Sequence, residues 1–164
     1  MMFKVSLILT ALLCALLAGF VFAFAVVVMP GIARLDDGDF IRAFQAIDGV
    51  IQGSQPLFGV VWLGSLLGAL VTLGLGLGEL SGARLALLGG AAALFLLAVH
   101  LPTFLVNVPL NNRLQALNVA TMDDAAVTAA RAGFEATWNR WNVVRTIVAT
   151  AVTGSLMWLM LALP

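Results

Sequence analysis

Four long stretches without a charged side chain constrain most strongly how this chain can fold. Residues 5–28, 57–77 and 147–163 contain no charged group, and residues 85–106 contain only His100 as a titratable group. Each run is close to the ~20 residues that a helix needs to cross the ~30 Å hydrocarbon layer of a bilayer. The chain is therefore predicted to be an integral membrane protein, which excludes a soluble enzyme fold.

The composition supports this prediction and removes several function classes. Of the 164 residues, 62% are hydrophobic and 10% are charged, whereas a soluble domain usually carries about 25% charged residues. Eight basic and eight acidic residues give no electrostatic footprint for nucleic acid. A single cysteine and a single histidine exclude an intrachain disulfide, the common histidine-rich metal sites and a bis-histidine haem. We expect no metal site.

The first span could also be interpreted as a cleaved signal peptide. Lys4 supplies a basic start, and residues 23–25 (Ala-Phe-Ala) are similar to a cleavage site. However, the apolar run continues past this point and exceeds the ~7–15 residues of a signal-peptide core. We expect the segment to be retained as a transmembrane helix that ends at residues 29–31 (Met-Pro-Gly), because proline and glycine disfavour its continuation.

A polar stretch at residues 34–56 contains a predicted amphipathic helix, with Asp36 or Asp39 as its cap. Its apolar positions recur at helical spacing at Phe40, Phe44, Ile47 and Ile51. Asp48 lies at the edge of this apolar stripe. Two interpretations are open for it: an acid solvated at the membrane interface, or a partly buried acid with a cationic partner.

A second pattern lies in the next span, where Gly64 and Gly68 form a G-x-x-x-G pair. Such a pair permits close approach of two helix backbones. The neighbouring helix could belong to the same chain or to a second copy, so this face is also a candidate homo-oligomer seam.

The last polar stretch, residues 107–145, is predicted to contain a capping box at residues 121–124. The helix that starts there could run without a break into the final span. The predicted fold class is all-α, a four-helix membrane bundle with an additional amphipathic helix between spans one and two. Residues 1–164 form one transmembrane domain with spans at about 5–28, 57–77, 85–106 and 143–163.

The connections between the spans predict a topology. They are long, short and long, which places both long polar segments on one side of the membrane. Six arginines lie in those segments, whereas only Lys4 and Arg84 lie on the other side. The positive-inside rule then predicts that the long segments are cytoplasmic. The six arginines are Arg34, Arg42, Arg113, Arg131, Arg140 and Arg145.

Two polar stripes at the same membrane end contain the candidate site residues. On a helix, His100, Asn107 and Asn111 project from nearly one face, and a matching stripe on the fourth span comprises Trp138, Asn142 and Arg145. Polar groups at membrane depth are costly and often functional, which favours a pocket between helices.

The alternative is structural. The asparagines could bond the carbonyls that Pro102 and Pro109 free at Ala98 and Leu105. Because an arginine at this depth cannot lose its charge, we also expect Arg145 to point into the bundle. Its expected partners are Asp48, Asn107 or Asn111.

Three strings together resemble the membrane family named for its anthrone oxygenase members. They are Phe22-x-Phe24 leading into 28–31 (Val-Met-Pro-Gly), 107–111 (Asn-Val-Pro-Leu-Asn) and 138–146 (Trp-Asn-Arg-Trp-Asn-Val-Val-Arg-Thr). The resemblance covers nearly the whole chain. It implies oxidation of anthrones to anthraquinones by molecular oxygen, without a cofactor. The chain departs from the family at Val143, where many relatives carry histidine, and at Asp48, where many carry asparagine.

If this chemistry applies, a base must remove a benzylic proton, donors must stabilise the resulting oxyanion, and an apolar cavity must hold the flat ring. The candidate bases are His100 and Asp48. The candidate substrate-binding residues are Asn107, Asn111, Trp138, Trp141, Asn142 and Arg145. The alternative is a non-catalytic multi-pass protein, in a bilayer such as the bacterial inner membrane, that binds a lipophile or packs against a partner subunit.

Overall fold

The computed structural model describes residues 1–163 and confirms an all-α fold. Five helices account for most of the chain, and a single 3-10 turn, Val119–Thr121, precedes the last of them. The helices are α1 (Met2–Ile32), α2 (Asp37–Gln52), α3 (Pro56–Glu79), α4 (Gly82–Gln115) and α5 (Asp124–Leu161).

Four of these helices, α1, α3, α4 and α5, are long and apolar enough to cross a membrane. The chain is thus a multi-pass membrane protein. Helix α5 has 38 residues and would be about 57 Å long at ~1.5 Å per residue, well beyond the hydrocarbon layer. It runs without a break from the polar stretch into the final span, as the sequence predicts. Helix α4 likewise extends to Gln115, past the predicted end at residue 106.

Three prolines lie inside the helices, each two residues after a π-helical turn. The turns are at Phe24–Val28, Leu96–His100 and Thr103–Asn107. In a π-helical turn each backbone N–H bonds the carbonyl five residues earlier instead of four. This shift moves the carbonyl with which a proline ring would clash in a regular α-helix. The predicted end of α1 at residues 29–31 is therefore one residue too early. Pro30 is accommodated, and the helix continues to Ile32.

Helix α1 is the centre of the bundle and packs along both α3 and α5, while α4 packs against α5 and α3. The core between the four spans is apolar and includes Phe3, Leu7, Phe95 and Leu156, all nearly inaccessible to solvent. Many other side chains of these helices face outward, where Leu9, Ile147 and other large apolar groups are exposed. An apolar exterior of this kind is suited to lipid and unsuited to water.

The contact between α1 and α3 combines a hydroxyl chain with a close backbone approach. The Oγ1 atoms of Thr10 and Thr72 lie 2.8 Å apart, and the Oγ of Ser6 lies 2.7 Å from Thr72 Oγ1. A Cβ atom on Gly68 would lie 2.7 Å from Thr10 Oγ1, and one on Gly64 would lie 3.1 Å from a methyl group of Leu13. The G-x-x-x-G pair thus packs against a helix of its own chain, while self-association through this face stays a prediction.

Helix α2 does not cross the bundle but lies over its polar end. Its N-cap is Asp36, whose Oδ1 accepts from the backbone N–H of Asp39 at 2.8 Å. Its apolar face packs against the end of α4 and against α5 in a second core. That core includes Phe40, Ile41, Phe44, Leu114, Val119 and Phe134, each buried.

The capping-box prediction is only partly correct. Asp123 is the cap of α5, and its Oδ1 accepts from the N–H of Ala126 at 2.8 Å. The hydroxyl of Thr121 instead donates to the Asn118 carbonyl within the preceding 3-10 turn. The reason is that the hydroxyl of Thr121 is already bonded within the 3-10 turn, so the helix begins after it.

Contacts around Arg131 join the two long polar segments at one end of the molecule. Its guanidinium donates to the carbonyls of Ala33 and Leu35 and to Asp37 Oδ1, and Thr128 donates to Asp37 Oδ2 at 2.6 Å. The Thr128 hydrogen bond and Arg131 lower the pKa of Asp37 below its ordinary value. The contribution of Asp37 to stability is therefore present above its ordinary pKa and is lost as the pH falls through the lowered value.

Replacing Gly68 by leucine should destabilise the bundle. The new side chain meets Thr10 and forces α1 and α3 apart, and overpacking of this kind typically costs about 1–3 kcal/mol. Thermal unfolding in detergent measures the effect. Gly74→Leu is the matched control, because a Cβ at Gly74 meets nothing within 4 Å. Equal melting of the two variants would contradict the close packing of α1 on α3.

Cysteine labelling tests the arrangement of the polar segments. In a Cys14→Ala background, Asp39→Cys and Ala125→Cys should react with an impermeant thiol reagent from the same side of the membrane. Glu79→Cys, in the turn between α3 and α4, should react from the other side. All three positions are exposed. Labelling of Asp39→Cys and Ala125→Cys from opposite sides would contradict the four-span topology.

Candidate functional site

A cavity of about 260 Å³ lies inside the polar end of the bundle, between α1, α3, α4 and α5 and under α2. Its wall is largely aromatic, with one aliphatic contribution each from Ile51 and Val108. The rings are those of Phe20, Phe24, Phe44, Phe58, Trp62, Phe104 and Trp138. The polar groups in the wall are Asp48, Thr103, Asn107, Asn111, Asn142 and Arg145.

The cavity exists because α3 and α4 diverge. Their backbones are close near the short turn that connects Glu79 to Gly82 and separate toward the polar end. There the Trp62 ring spans the space, with its centroid 5.2 Å from the His100 ring and 5.0 Å from the Phe104 ring. The two π-helical turns of α4 lie at this level.

Asp48 is a buried carboxylate, with 3% of its surface exposed, and it is held by three amide donors. Asn111 donates to its Oδ1 at 2.7 Å, and Gln52 and Gln115 donate to its Oδ2 at 2.7 and 3.1 Å. The interpretation as a solvated acid is wrong. The acid is buried, as the second interpretation predicts, but its hydrogen-bonding partners are amides and not a cation. Three donors on its two oxygens fix the orientation of the carboxylate.

Asn111 joins three helices through one side chain. Its Nδ2 donates to Asp48 on α2, and its Oδ1 accepts from Trp138 Nε1 on α5 at 2.7 Å. Asn107, one turn earlier, donates to the Trp138 carbonyl at 3.3 Å. The expected bonds from these asparagines to carbonyls freed within α4 are absent from the hydrogen bonds of residues 1–163. Both side chains instead point away from their own helix, because neighbouring helices offer acceptors there.

Arg145 points into the bundle and is 7% exposed, but its partners differ from those predicted. Its Nη1 donates to Thr103 Oγ1 at 3.0 Å and its Nη2 to Asn142 Oδ1 at 2.9 Å. Among residues 1–163, the expected bonds to Asp48, Asn107 or Asn111 are not formed, and no carboxylate lies within 4.0 Å of the guanidinium. Asn142 lies one turn before Arg145 on α5. Its side-chain oxygen is therefore closer to the guanidinium than the predicted partners on α2 and α4 are.

Two atoms of residues in the cavity wall have no hydrogen-bond partner within residues 1–163. They are Arg145 Nε and Asn107 Oδ1, both fully buried. A buried donor and a buried acceptor without partners are costly in an apolar setting. Both residues line the cavity, but neither of these two atoms presents accessible surface to a molecule inside it.

His100 and Trp141 are not part of the cavity wall. His100 is 3% exposed, lies edge-on between Trp62 and Phe95, and has no partner for either ring nitrogen. Trp62 contacts both the cavity and His100. Trp141 is half-buried on α5. Val143, where many relatives of the resembled family carry histidine, is 46% exposed on the outer face, so this departure from the family pattern lies outside the cavity.

Two hydrogen-bond donors to Asp48 and most of the aromatic wall were not identified from the sequence. Gln52 and Gln115 follow Asp48 and Asn111 by four residues, and this i, i+4 spacing could have indicated their role. The six phenylalanine and tryptophan rings beyond Trp138 and Trp141 carry no such signal, because aromatic residues are common throughout apolar spans. Among the described residues no group of three or more His, Cys, Asp or Glu side chains could hold a metal ion.

Asp48→Asn should destabilise the protein by about 1.5–3 kcal/mol, because it removes the charge from three hydrogen bonds and presents an NH₂ group to another amide donor. Unfolding in detergent measures the loss. Asp39→Asn is the control, since Asp39 pairs with Arg42 at an exposed site where an ion pair is worth about 0–1 kcal/mol. Equal loss in both variants would show that the Asp48 network contributes no more than a surface pair.

Comparisons with known proteins bear on this arrangement. The family model described as anthrone oxygenase matches residues 49–155. This range contains all of α3 and α4 and most of α5, with the strings at 107–111 and 138–146 that carry the resemblance. No curated protein and no solved structure matches the chain. Because the family match covers well over half of its length, the chain belongs to the anthrone oxygenase family.

Proposed function

We propose that this protein oxidises a small, flat, lipophilic aromatic ketone of the anthrone type with molecular oxygen, without a cofactor. The observation that carries the proposal is the aromatic cavity whose wall contains one carboxylate, Asp48, and one guanidinium, Arg145. Its volume of about 260 Å³ is slightly below the ~300–1,000 Å³ typical of pockets for drug-sized ligands, which suits a small rigid ring system.

The charges of the cavity match the needs of the first step. In an anthrone, the acidic CH₂ group and the carbonyl lie on opposite sides of the central ring. Asp48 would accept a proton from the CH₂ group, and the negative charge would spread to the carbonyl oxygen. The guanidinium of Arg145, which lies in the cavity wall, would donate to that oxygen. A preorganised donor in a site with little water stabilises a developing oxyanion strongly.

The remaining steps need only O₂ and the proton held by Asp48. The electron-rich carbanion carbon transfers electrons to O₂ and forms a carbon–oxygen bond, and protonated Asp48 returns its proton to the distal oxygen to give a hydroperoxide. Asp48 then removes the remaining hydrogen from the same carbon, the O–O bond breaks, and a new C=O bond forms. The departing hydroxide takes the proton from Asp48 and leaves as water. One atom of O₂ enters the anthraquinone, and the other ends in water.

Asp48 is the better of the two candidate bases because it lies in the cavity wall, whereas His100 does not. A general base must come within hydrogen-bond reach of the proton that it removes. The hydrogen bonds from Asn111, Gln52 and Gln115 would hold the carboxylate of Asp48 in one orientation in the cavity wall. Asn107 and Asn142 lie beside Arg145 in the wall and would help to position the ketone oxygen.

Activity assays with anthrone test the proposal. The purified protein in lipid nanodiscs should convert anthrone to anthraquinone faster than buffer or empty nanodiscs, with one atom of ¹⁸O₂ appearing in the product. Asp48→Asn and Arg145→Gln should each reduce the rate by roughly 10²-fold or more, the usual contribution of a positioned base or oxyanion donor. Asp39→Asn and Arg140→Gln are the matched controls at exposed positions, and both should keep the rate of the unaltered protein.

A non-catalytic lipophile-binding protein is the second candidate. It is favoured by the same three hydrogen bonds to Asp48, because they occupy lone pairs that a base would use. Anthraquinone binding without any acceleration of anthrone oxidation would support this candidate and contradict the oxygenase. An Asp48→Asn variant that binds anthraquinone normally but oxidises no anthrone would support the oxygenase.

A further inference from the structure

A second apolar concavity lies on the membrane-facing side of the bundle, between α1, α2 and α3. This groove has a volume of about 720 Å³. Its outer residues are open to the bilayer, since Leu57 is 71% exposed, Val50 59% and Leu16 50%. Gln55, whose Oε1 caps the first turn of α3 by accepting from the Phe58 N–H, contributes a rare polar group to it. The groove can therefore take up apolar molecules from the lipid.

The groove and the aromatic cavity share a wall. Phe20, Phe24, Ile51 and Phe58 line both. The ring of Phe20 contacts that of Phe58 with a centroid separation of 5.0 Å and that of Phe24 at 4.9 Å. The Phe20 and Phe58 rings thus lie between the groove and the cavity. Aromatic side chains can change rotamer without backbone movement.

The polar end of the cavity is closed by different means. Helix α2 and the 3-10 turn Val119–Thr121 cover it with the second apolar core, in which Phe40, Ile41 and Phe134 are at most 2% exposed. Arg131 of α5 holds α2 in this position, because its guanidinium donates to the carbonyls of Ala33 and Leu35 in the segment before α2. A route from the aqueous side would have to open a packed core, whereas the groove adjoins the cavity across the rings of Phe20 and Phe58.

We propose that the groove between α1, α2 and α3 is the lateral entrance through which a membrane-dissolved aromatic ligand reaches the cavity, with Phe20 and Phe58 as its gate. This inference rests on the proposed function in one respect, namely that the cavity holds such a ligand. A flat apolar ring system concentrates in the hydrocarbon layer of the membrane. By this route it passes from the acyl chains into the cavity without exposure to water.

Obstruction of the groove tests this route. Ala46 and Val50 line the groove but not the cavity, and both are exposed. Ala46→Phe and Val50→Phe add bulk at two separate positions on α2. Ala151→Phe, at an exposed position on α5 that lines neither space, is the matched control. Phenylalanine is used because it leaves the four tryptophans as the only strong intrinsic fluorophores.

The probe is anthraquinone added to each protein in lipid nanodiscs, with binding followed by quenching of tryptophan fluorescence in stopped flow. Both groove variants should bind and release anthraquinone more slowly by about tenfold, within the range that mutations usually produce in association rates. The dissociation constant should stay unchanged, because obstruction slows both directions equally. Ala151→Phe should match the unaltered protein in all three quantities.

Each outcome decides between the hypotheses. If the unaltered protein binds anthraquinone and both groove variants show its association rate, the entrance is elsewhere and the inference is wrong. A weaker equilibrium affinity with unchanged association would likewise overturn it, since the groove would then be part of the binding site. If the unaltered protein binds no anthraquinone, the proposed function itself fails, and the entrance fails with it. If one variant does not fold, the other carries the same test.

Discussion

The buried carboxylate of Asp48 is the constraint on which the architecture of the site depends. A charge in an apolar interior is tolerated only if hydrogen bonds replace the lost water, and here three amides do so. Two of them come from α4, so the burial of Asp48 fixes α2 to that helix. Through Asn111 and Trp138 the same network reaches α5. The cover over the cavity is therefore held by polar contacts as well as by its apolar face.

Arg145 presents the complementary case. Its guanidinium is buried without a carboxylate within 4.0 Å among residues 1–163 and bonds only the neutral oxygens of Thr103 and Asn142. The Trp138 ring, 5.7 Å away, adds a weak cation–π contact. Arrangements that leave a charge under-compensated and a donor unused reduce stability, and such costs are typical of sites kept for function. The oxyanion role proposed for Arg145 would explain why the fold retains this destabilising arrangement.

The prolines of α4 connect the fold to the site. Pro102 and Pro109 each follow a π-helical turn, and the second of these turns holds both Thr103 and Asn107 in the cavity wall. A regular helix would rotate these side chains differently, because each π turn adds one residue to the local repeat.

The sequence by itself determined the four spans, the amphipathic helix and the polar character of one end, because run length, periodicity and proline placement are local properties. It also placed six of the eight candidate site residues in what proves to be one cavity wall. It could not give the partners of Asp48 and Arg145. A small error in the predicted rotation or tilt of a kinked helix brings a different acceptor within reach of a donor. Only the packing of the bundle fixes the rotation and tilt of each helix. The tertiary structure alone decided that His100 lies behind Trp62 and that rings from five helices converge on one cavity, because convergence depends on how helices distant in sequence lean against each other.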